Sequence, residues 1–234
     1  MASKKKSTKN ETKSSSKFVF WVVGIIAAFV LGFIFLGNHS KQEESKTKEA
    51  IDYSNQPFLG DKSAPVSIIE FGDYKCPNCK NFTEQVVPII QKELVDNGKA
   101  KFYFMNDSFI NVDSIRSAKF AESVYQELGN DKFWKFHDLL YEKQPAEPEK
   151  EKMDIFTETF LTDTLKEVAD SNEVDKVVKN FRDKKSENAW DKDMSYAEKL
   201  GVTGTPTIFV NGKLFEGQTI DDLIKMVEDA AKEK

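Results

Sequence analysis

The first pattern along the chain is an uncharged apolar run from Phe18 to Gly37, with polar and charged residues on both sides. Its twenty residues match the roughly 20 that a helix needs to cross a bilayer, so the run predicts a transmembrane helix. Ser40 to Asn55 then shows no period and reads as a polar linker. After Pro65 the segment Val-Ser-Ile-Ile-Glu-Phe, closed by Gly72, is short, β-branched and bounded by turn formers, the pattern of a buried strand. Phe82, Val86, Val87, Ile89, Ile90 and Leu94 recur at helical spacing. They predict a helix from Pro77 to about Asn97, kinked at Pro88 and stopped by Gly98. Ala100 to Met105 predicts a second strand, which makes strand, helix and strand a βαβ unit.

From Asp113 to Leu200 the chain is rich in Ala, Lys, Glu and Asp at helical spacing, with little strand signal, and predicts a helical subdomain. Within it, Ser114 to Leu128 is one helix closed by Gly129-Asn130, Asp131 is a candidate cap for the next, and Gln144 to Pro148 is a linker. Thr207 to Val210, Asn211-Gly212 and Lys213 to Phe215 carry a hairpin signal, because Asn-Gly favours the type I′ turn that matches strand twist. A last helix is expected from about Thr219 to Ala231, with Thr219 or Asp221 near its cap. The order β-α-β, helical insert, β-β-α is that of an α/β thioredoxin fold interrupted by an all-helical insertion. The expected organisation is a basic tail at 1–17, an anchor at 18–37 and a linker at 38–55. A first part of the thioredoxin domain follows at 56–112, the insertion at 113–200 and the second part at 201–234.

Charge adds an orientation. The seventeen residues before the apolar run hold six lysines against one acid, Glu11, so the positive-inside rule puts the N-terminus in the cytoplasm and everything from Asn38 outside it. A cleaved signal peptide, releasing a secreted protein, is the alternative. The run exceeds the roughly 7–15 residues of a signal core and no Ala-x-Ala site follows it, which favours the anchor. With +5 on the tail, the net −5 of the whole chain leaves −10 on the remainder, a poor balance for binding nucleic acid or anionic lipid.

Both cysteines of the chain lie in Cys76-Pro77-Asn78-Cys79, between a strand and a helix. That is the layout of a thiol–disulfide redox centre. A thiolate attacks a disulfide, and the free N–H groups at the start of the Pro77 helix favour an anion on Cys76. Cys76 is therefore the expected nucleophile and Cys79, one turn along and more buried, the resolving thiol. A structural zinc site needs four ligands, whereas this motif supplies two and the only histidines are His39 and His137. A purely structural disulfide across so short a loop would remove little chain entropy. Glu70, inside an apolar strand, reads as a buried acid with a raised pKa that exchanges protons with Cys79; the alternative is a strand-end carboxylate facing solvent or paired with a lysine. Pro206, after Gly204-Thr205 and before a strand, is compatible with a cis bond that offers Thr205 backbone groups to an extended substrate. Phe133, Trp134 and Phe136 could form a peptide-binding surface, but at helical spacing they read better as core, with His137 packed among them. No metal and no organic cofactor is expected, and a monomer is the default.

The stretch from Pro57 through Cys79, together with Lys132 to Asp138 and Leu200 to Gly212, resembles the DsbA-like thioredoxin family over nearly all of the chain beyond the linker. The resemblance implies a disulfide exchange enzyme in which Cys76 and Cys79 are the redox pair, Glu70 the buried acid and Thr205-Pro206 the cis-proline loop. It also implies secreted proteins with cysteine thiols as substrates, and recharging by a membrane quinone reductase of the DsbB type. The best-known oxidases of that family carry a histidine where this chain has Asn78. A neutral amide stabilises a thiolate less than an imidazolium does, and one pKa unit is about 1.4 kcal/mol, so a less oxidising disulfide is expected. The expected activity is that of a membrane-anchored oxidase. An extracytoplasmic reductase, or a non-catalytic envelope chaperone or adaptor, is the alternative.

Overall fold

The structure is a computed structural model and describes residues 51–233. The apolar run Phe18–Gly37, with the basic tail and most of the linker, lies outside the described residues. Among those described, no helix is long and apolar enough to cross a membrane.

The centre of the fold is β2 (Val66–Gly72), preceded by the two-residue β1 (Phe58–Leu59); all seven β2 residues are buried. β2 runs parallel to β3 (Ala100–Asn106), with Glu70 opposite Phe104, and antiparallel to β4 (Thr207–Val210), with Glu70 opposite Ile208. With β5 (Lys213–Leu214), the sheet order is β1-β3-β2-β4-β5. β1 is too short to show any alternation and was not expected. The β4–β5 turn is formed by Asn211 (φ 48°) and Gly212 (φ 78°), the positive pair a type I′ turn requires.

The helix after the cysteines breaks earlier than expected. α1 (Pro77–Gln85) ends at Val86, and the chain continues as α2 (Val87–Ile90) and a π-helical turn over Gln91–Val95. Pro88 has no N–H to donate, and its ring crowds the carbonyl four residues back, so the ladder parts one turn before the ring. In the insertion, α3 (Val112–Leu128) begins two residues earlier than expected, because Asn111 and Ser114 form a capping box. Gly129 (φ 78°) separates it from α4 (Asn130–Glu142). Asp131 falls inside the first turn of α4, where it favours the helix dipole but caps nothing. α5 (Glu158–Leu165), α6 (Ser171–Arg182) and α7 (Glu187–Lys199) complete the insertion. α8 (Ile220–Lys232) closes the fold, and Thr219 with Asp222 caps it.

Because strand side chains alternate, β2 feeds two cores. Val66 and Ile68 enter the larger one with residues of α1 to α6 and α8, whereas Ile69 and Phe71 pack on the other face with Tyr103, Phe209 and Ala197 of α7. Phe133 and Phe136 are fully buried and Trp134 nearly so, which makes this aromatic stripe core and not an exposed peptide surface. Each such Phe contributes roughly 1.5–3 kcal/mol of burial. The end of the predicted linker also belongs to the domain. Ile51 is buried, and the Tyr53 ring lies 4.5 Å from that of Tyr103.

Candidate active site

Cys76 follows the carboxyl end of β2 by four residues and is the N-cap of α1, with Pro77 in the first turn. No side chain caps this helix, so its leading N–H groups are left to the Cys76 sulfur. Cys76 and Cys79 are both free thiols, the first 5% exposed and the second fully buried. The Thr205–Pro206 bond is cis, and the Thr205 carbonyl accepts from Cys76 Sγ at 3.2 Å. Residues 129 apart in sequence thus meet at one point, and Cys76, Pro77, Asn78, Cys79, Thr205 and Pro206 form a single site.

The two thiols have opposite electrostatics. Cys76 is pulled down to about 6, first by its hydrogen bond with the Cys79 side chain and then by the Thr205 side chain and the amides of Cys79 and Asn78, against partial desolvation. The Thr205 carbonyl can only accept, so that contact belongs to the thiol state. Cys79 is pushed far up by burial, by its bond to Cys76 and by the charge of Glu70. Near neutral pH one sulfur is a thiolate and the other keeps its proton, the division that a nucleophile and a resolving thiol require.

Glu70 has no exposed surface, and neither of its carboxyl oxygens has a hydrogen-bond partner among the described residues. Desolvation, then the charge of Cys76, holds its pKa well above the usual carboxylate range. It is the buried acid expected from its place in an apolar strand, and the solvent-facing alternative is excluded by its burial.

Several residues that shape the site carry no sequence signal. Asp73 accepts from the amides of Lys75 (2.8 Å), Phe109 (3.0 Å) and Ile110 (3.1 Å), which fastens the loop after β3 to the loop before Cys76. Lys75 is 1% exposed, and its ammonium reaches Asp113 Oδ2 at 3.0 Å and the carbonyls of Lys150 at 3.1 Å and Met153 at 2.8 Å. Gln144 Nε2 donates to the carbonyls of Tyr74 at 2.8 Å and Cys76 at 3.2 Å. Lys80 Nζ donates back to the carbonyls of Glu142 at 3.1 Å and Gln144 at 3.0 Å. The insertion therefore grips the redox motif on both sides, and a cavity of about 60 Å³ lined by Lys75, Pro77, Gln144 and Glu147 lies at the seam.

His137 is buried under the site, hydrogen-bonded through Nδ1 to the Tyr74 hydroxyl at 3.1 Å, and burial pushes its pKa down to about 3. It is a packed, neutral residue. Among the described residues no group of three or more His, Cys, Asp and Glu is placed to hold a metal ion.

A thioredoxin family model matches residues 52–229. The probable disulfide bond formation protein D of Bacillus anthracis is 33% identical over 221 residues, which cover 94% of this chain and 99% of that protein. Disulfide bond formation protein D of Bacillus subtilis is 35% identical over 199 residues, 84% of this chain and 86% of that one. The crystal structure of oxidised BdbD from Bacillus subtilis superposes with a TM-score of 0.70 at 34% identity, over 77% of this chain and 95% of that chain.

Proposed function

The chain belongs to the thioredoxin-like family of disulfide bond formation proteins and is a thiol–disulfide oxidoreductase, and from that premise we propose that it is a membrane-anchored oxidase giving its Cys76–Cys79 disulfide to secreted proteins outside the cytoplasm. The observation that carries this reading is the placement of the two thiols, with Cys76 at the head of α1 beside the cis Thr205–Pro206 bond, where its pKa is lowered to about 6, and Cys79 fully buried, where its pKa is raised. A stabilised thiolate favours the reduced protein, and a disulfide whose reduced form is favoured is an oxidant.

In this reading a substrate thiolate attacks Cys76, Cys79 leaves, and Glu70 supplies the proton that the departing sulfur takes. A second substrate thiol then attacks the mixed disulfide and frees Cys76. Thr205, next to the cis bond and 3.2 Å from Cys76 Sγ, offers backbone groups to an extended substrate segment. Asn78 tempers the oxidant. The anchor is the Phe18–Gly37 run, oriented by the lysines before it. A DsbB-like quinone reductase in the same membrane would return the protein to its disulfide form.

The test is a single turnover. The oxidised full-length chain is mixed with one equivalent of an unfolded, reduced secreted protein that has two cysteines, quenched with acid and alkylated. The expected result is the loss of both thiols from the substrate and the gain of both by this chain. No transfer in this mixture, with net transfer in the converse mixture of reduced chain and disulfide-bonded substrate, would point to the reductase instead. Binding with no transfer either way would point to a chaperone or adaptor.

A further inference from the structure

Tyr141 lies on α4 and is fully buried, and its hydroxyl has no hydrogen-bond partner among the described residues. The hydroxyl stands over the sheet at Gly72, where an added Cβ would lie 3.2 Å from it. Gly72 and Glu70 are two positions apart on β2 and so share a face, the one that carries the larger core. The Tyr141 hydroxyl is thus one side-chain position along the strand from the unpartnered carboxyl of Glu70. Cys79 belongs to the same core cluster and is fully buried.

The groups that face this hydroxyl divide into two kinds. Cys79, from α1, and Glu70, from β2, exert the largest charge effects on it after burial itself, followed by Tyr74 and Asp73 from the loop after β2. The Tyr74 hydroxyl is taken up by His137 Nδ1, and the Asp73 carboxylate by three backbone amides. His137, on Tyr141's own helix with its ring 5.0 Å away, is held neutral by burial. What remains uncommitted is the pair Glu70 and Tyr141, while Cys79 is engaged with Cys76, the sulfur it parts from when the disulfide breaks. A glycine at 72 makes room for this phenol, since a Cβ there would also come within 2.5 Å of the Phe104 ring.

We propose that the Tyr141 hydroxyl relays the proton between Glu70 and Cys79. The proposal rests on the oxidoreductase reading and adds a residue to it. When a substrate thiolate attacks Cys76 Sγ, the Cys76–Cys79 bond breaks and its electron pair leaves on Cys79. In the dithiol form the hydroxyl bonds neither group; as the disulfide opens it closes on both, and Cys79 takes the phenol proton while Tyr141 takes the carboxyl proton of Glu70. A second substrate thiolate attacks the substrate sulfur of the mixed disulfide and releases Cys76 as a thiolate. The substrate dithiol has then lost two electrons and two protons. One proton restores Glu70 and the other goes to solvent.

The experiment follows the reduction of the oxidised full-length chain by dithiothreitol from pH 5 to 9, in wild type, Tyr141→Phe, Glu70→Gln and the double variant. The proposal expects Tyr141→Phe to slow reduction about tenfold near neutral pH, a modest share of a general acid's usual contribution. It also expects a changed pH profile, and little further loss in the Glu70→Gln background. A structural role for the hydroxyl would lower the melting temperature but leave the profile's shape intact and multiply with Glu70→Gln, and that result overturns the proposal. If Tyr141→Phe does not fold, 3-fluorotyrosine at 141 keeps the shape and changes the phenol acidity; an unshifted profile then overturns it. A wild-type chain that dithiothreitol does not reduce would instead sink the oxidoreductase reading itself.

Discussion

Replacing Cys76 by alanine is expected to abolish disulfide transfer, leaving only the background rate of thiol exchange in solution. Cys79→Ala is expected to lose turnover differently, by trapping a mixed disulfide between Cys76 and the substrate. The contrast follows from the geometry. Cys76, at the head of α1 and beside Thr205, is the sulfur a partner reaches, and the buried Cys79 can attack only Cys76. Non-reducing gels of both variants after incubation with a disulfide-bonded substrate would check it, since the Cys76 thiolate then breaks the substrate's disulfide to form the mixed one. Full activity in Cys76→Ala would instead favour a binding protein. The pH dependence has a definite sign. The Cys76 thiolate is depressed from an ordinary value of 9.0 to about 6. The stabilisation it gives the reduced form is therefore complete above pH 9 and is lost as pH falls through 6. Relative to an unperturbed dithiol, the disulfide should weaken as an oxidant over that window when the medium is acidified.

Asp113→Ala is expected to cost about 3–5 kcal/mol of stability, the scale of removing one partner from a buried ion pair. Lys75 and Asp113 are 1% and 0% exposed, so the ammonium left behind would keep only two carbonyls and the Phe156 ring, 5.2 Å away. The same carboxylate also accepts from the amides of Ile155 (2.9 Å) and Phe156 (3.1 Å), which would lose it too. Against a typical total of about 5–15 kcal/mol, that is a large fraction. Urea unfolding would read it as a lower midpoint at unchanged slope. The double variant Lys75→Met, Asp113→Leu should recover much of the loss, since it leaves no unpaired charge behind. A loss below about 1 kcal/mol in Asp113→Ala, the scale of an exposed pair, would contradict the account.

How much could be read from the chain divides along physical lines. Features set by neighbours in sequence were legible: the apolar β2, the Asn211-Gly212 turn, the Thr219 cap and the Cys-x-x-Cys at a helix start. Glu70 was legible because an acid inside an apolar strand is anomalous on its face. Lys75 and Asp113 were not, because they are 38 residues apart and each looks like an ordinary charged residue until the fold joins them. Gln144, 70 residues from the Tyr74 carbonyl it caps, sits in what reads as a polar linker. Tyr141 is hidden for another reason. An aromatic at helical spacing reads as core, and Tyr141 is core in its ring, while the unpartnered state of its hydroxyl shows only in the fold. The misplaced break before Pro88 reflects the reach of a proline, whose clash falls a turn upstream of the ring.

The measurement that bears most directly on the oxidase is the reduction potential of the Cys76–Cys79 pair, found by equilibrating the chain in defined thiol/disulfide buffers and quenching by alkylation. For this two-electron couple about 30 mV corresponds to 1.4 kcal/mol, so the effect of an asparagine at position 78 is within reach. The account predicts a value well above the roughly −270 mV of thioredoxin. A value at or below it would contradict the account and make the protein a reductase.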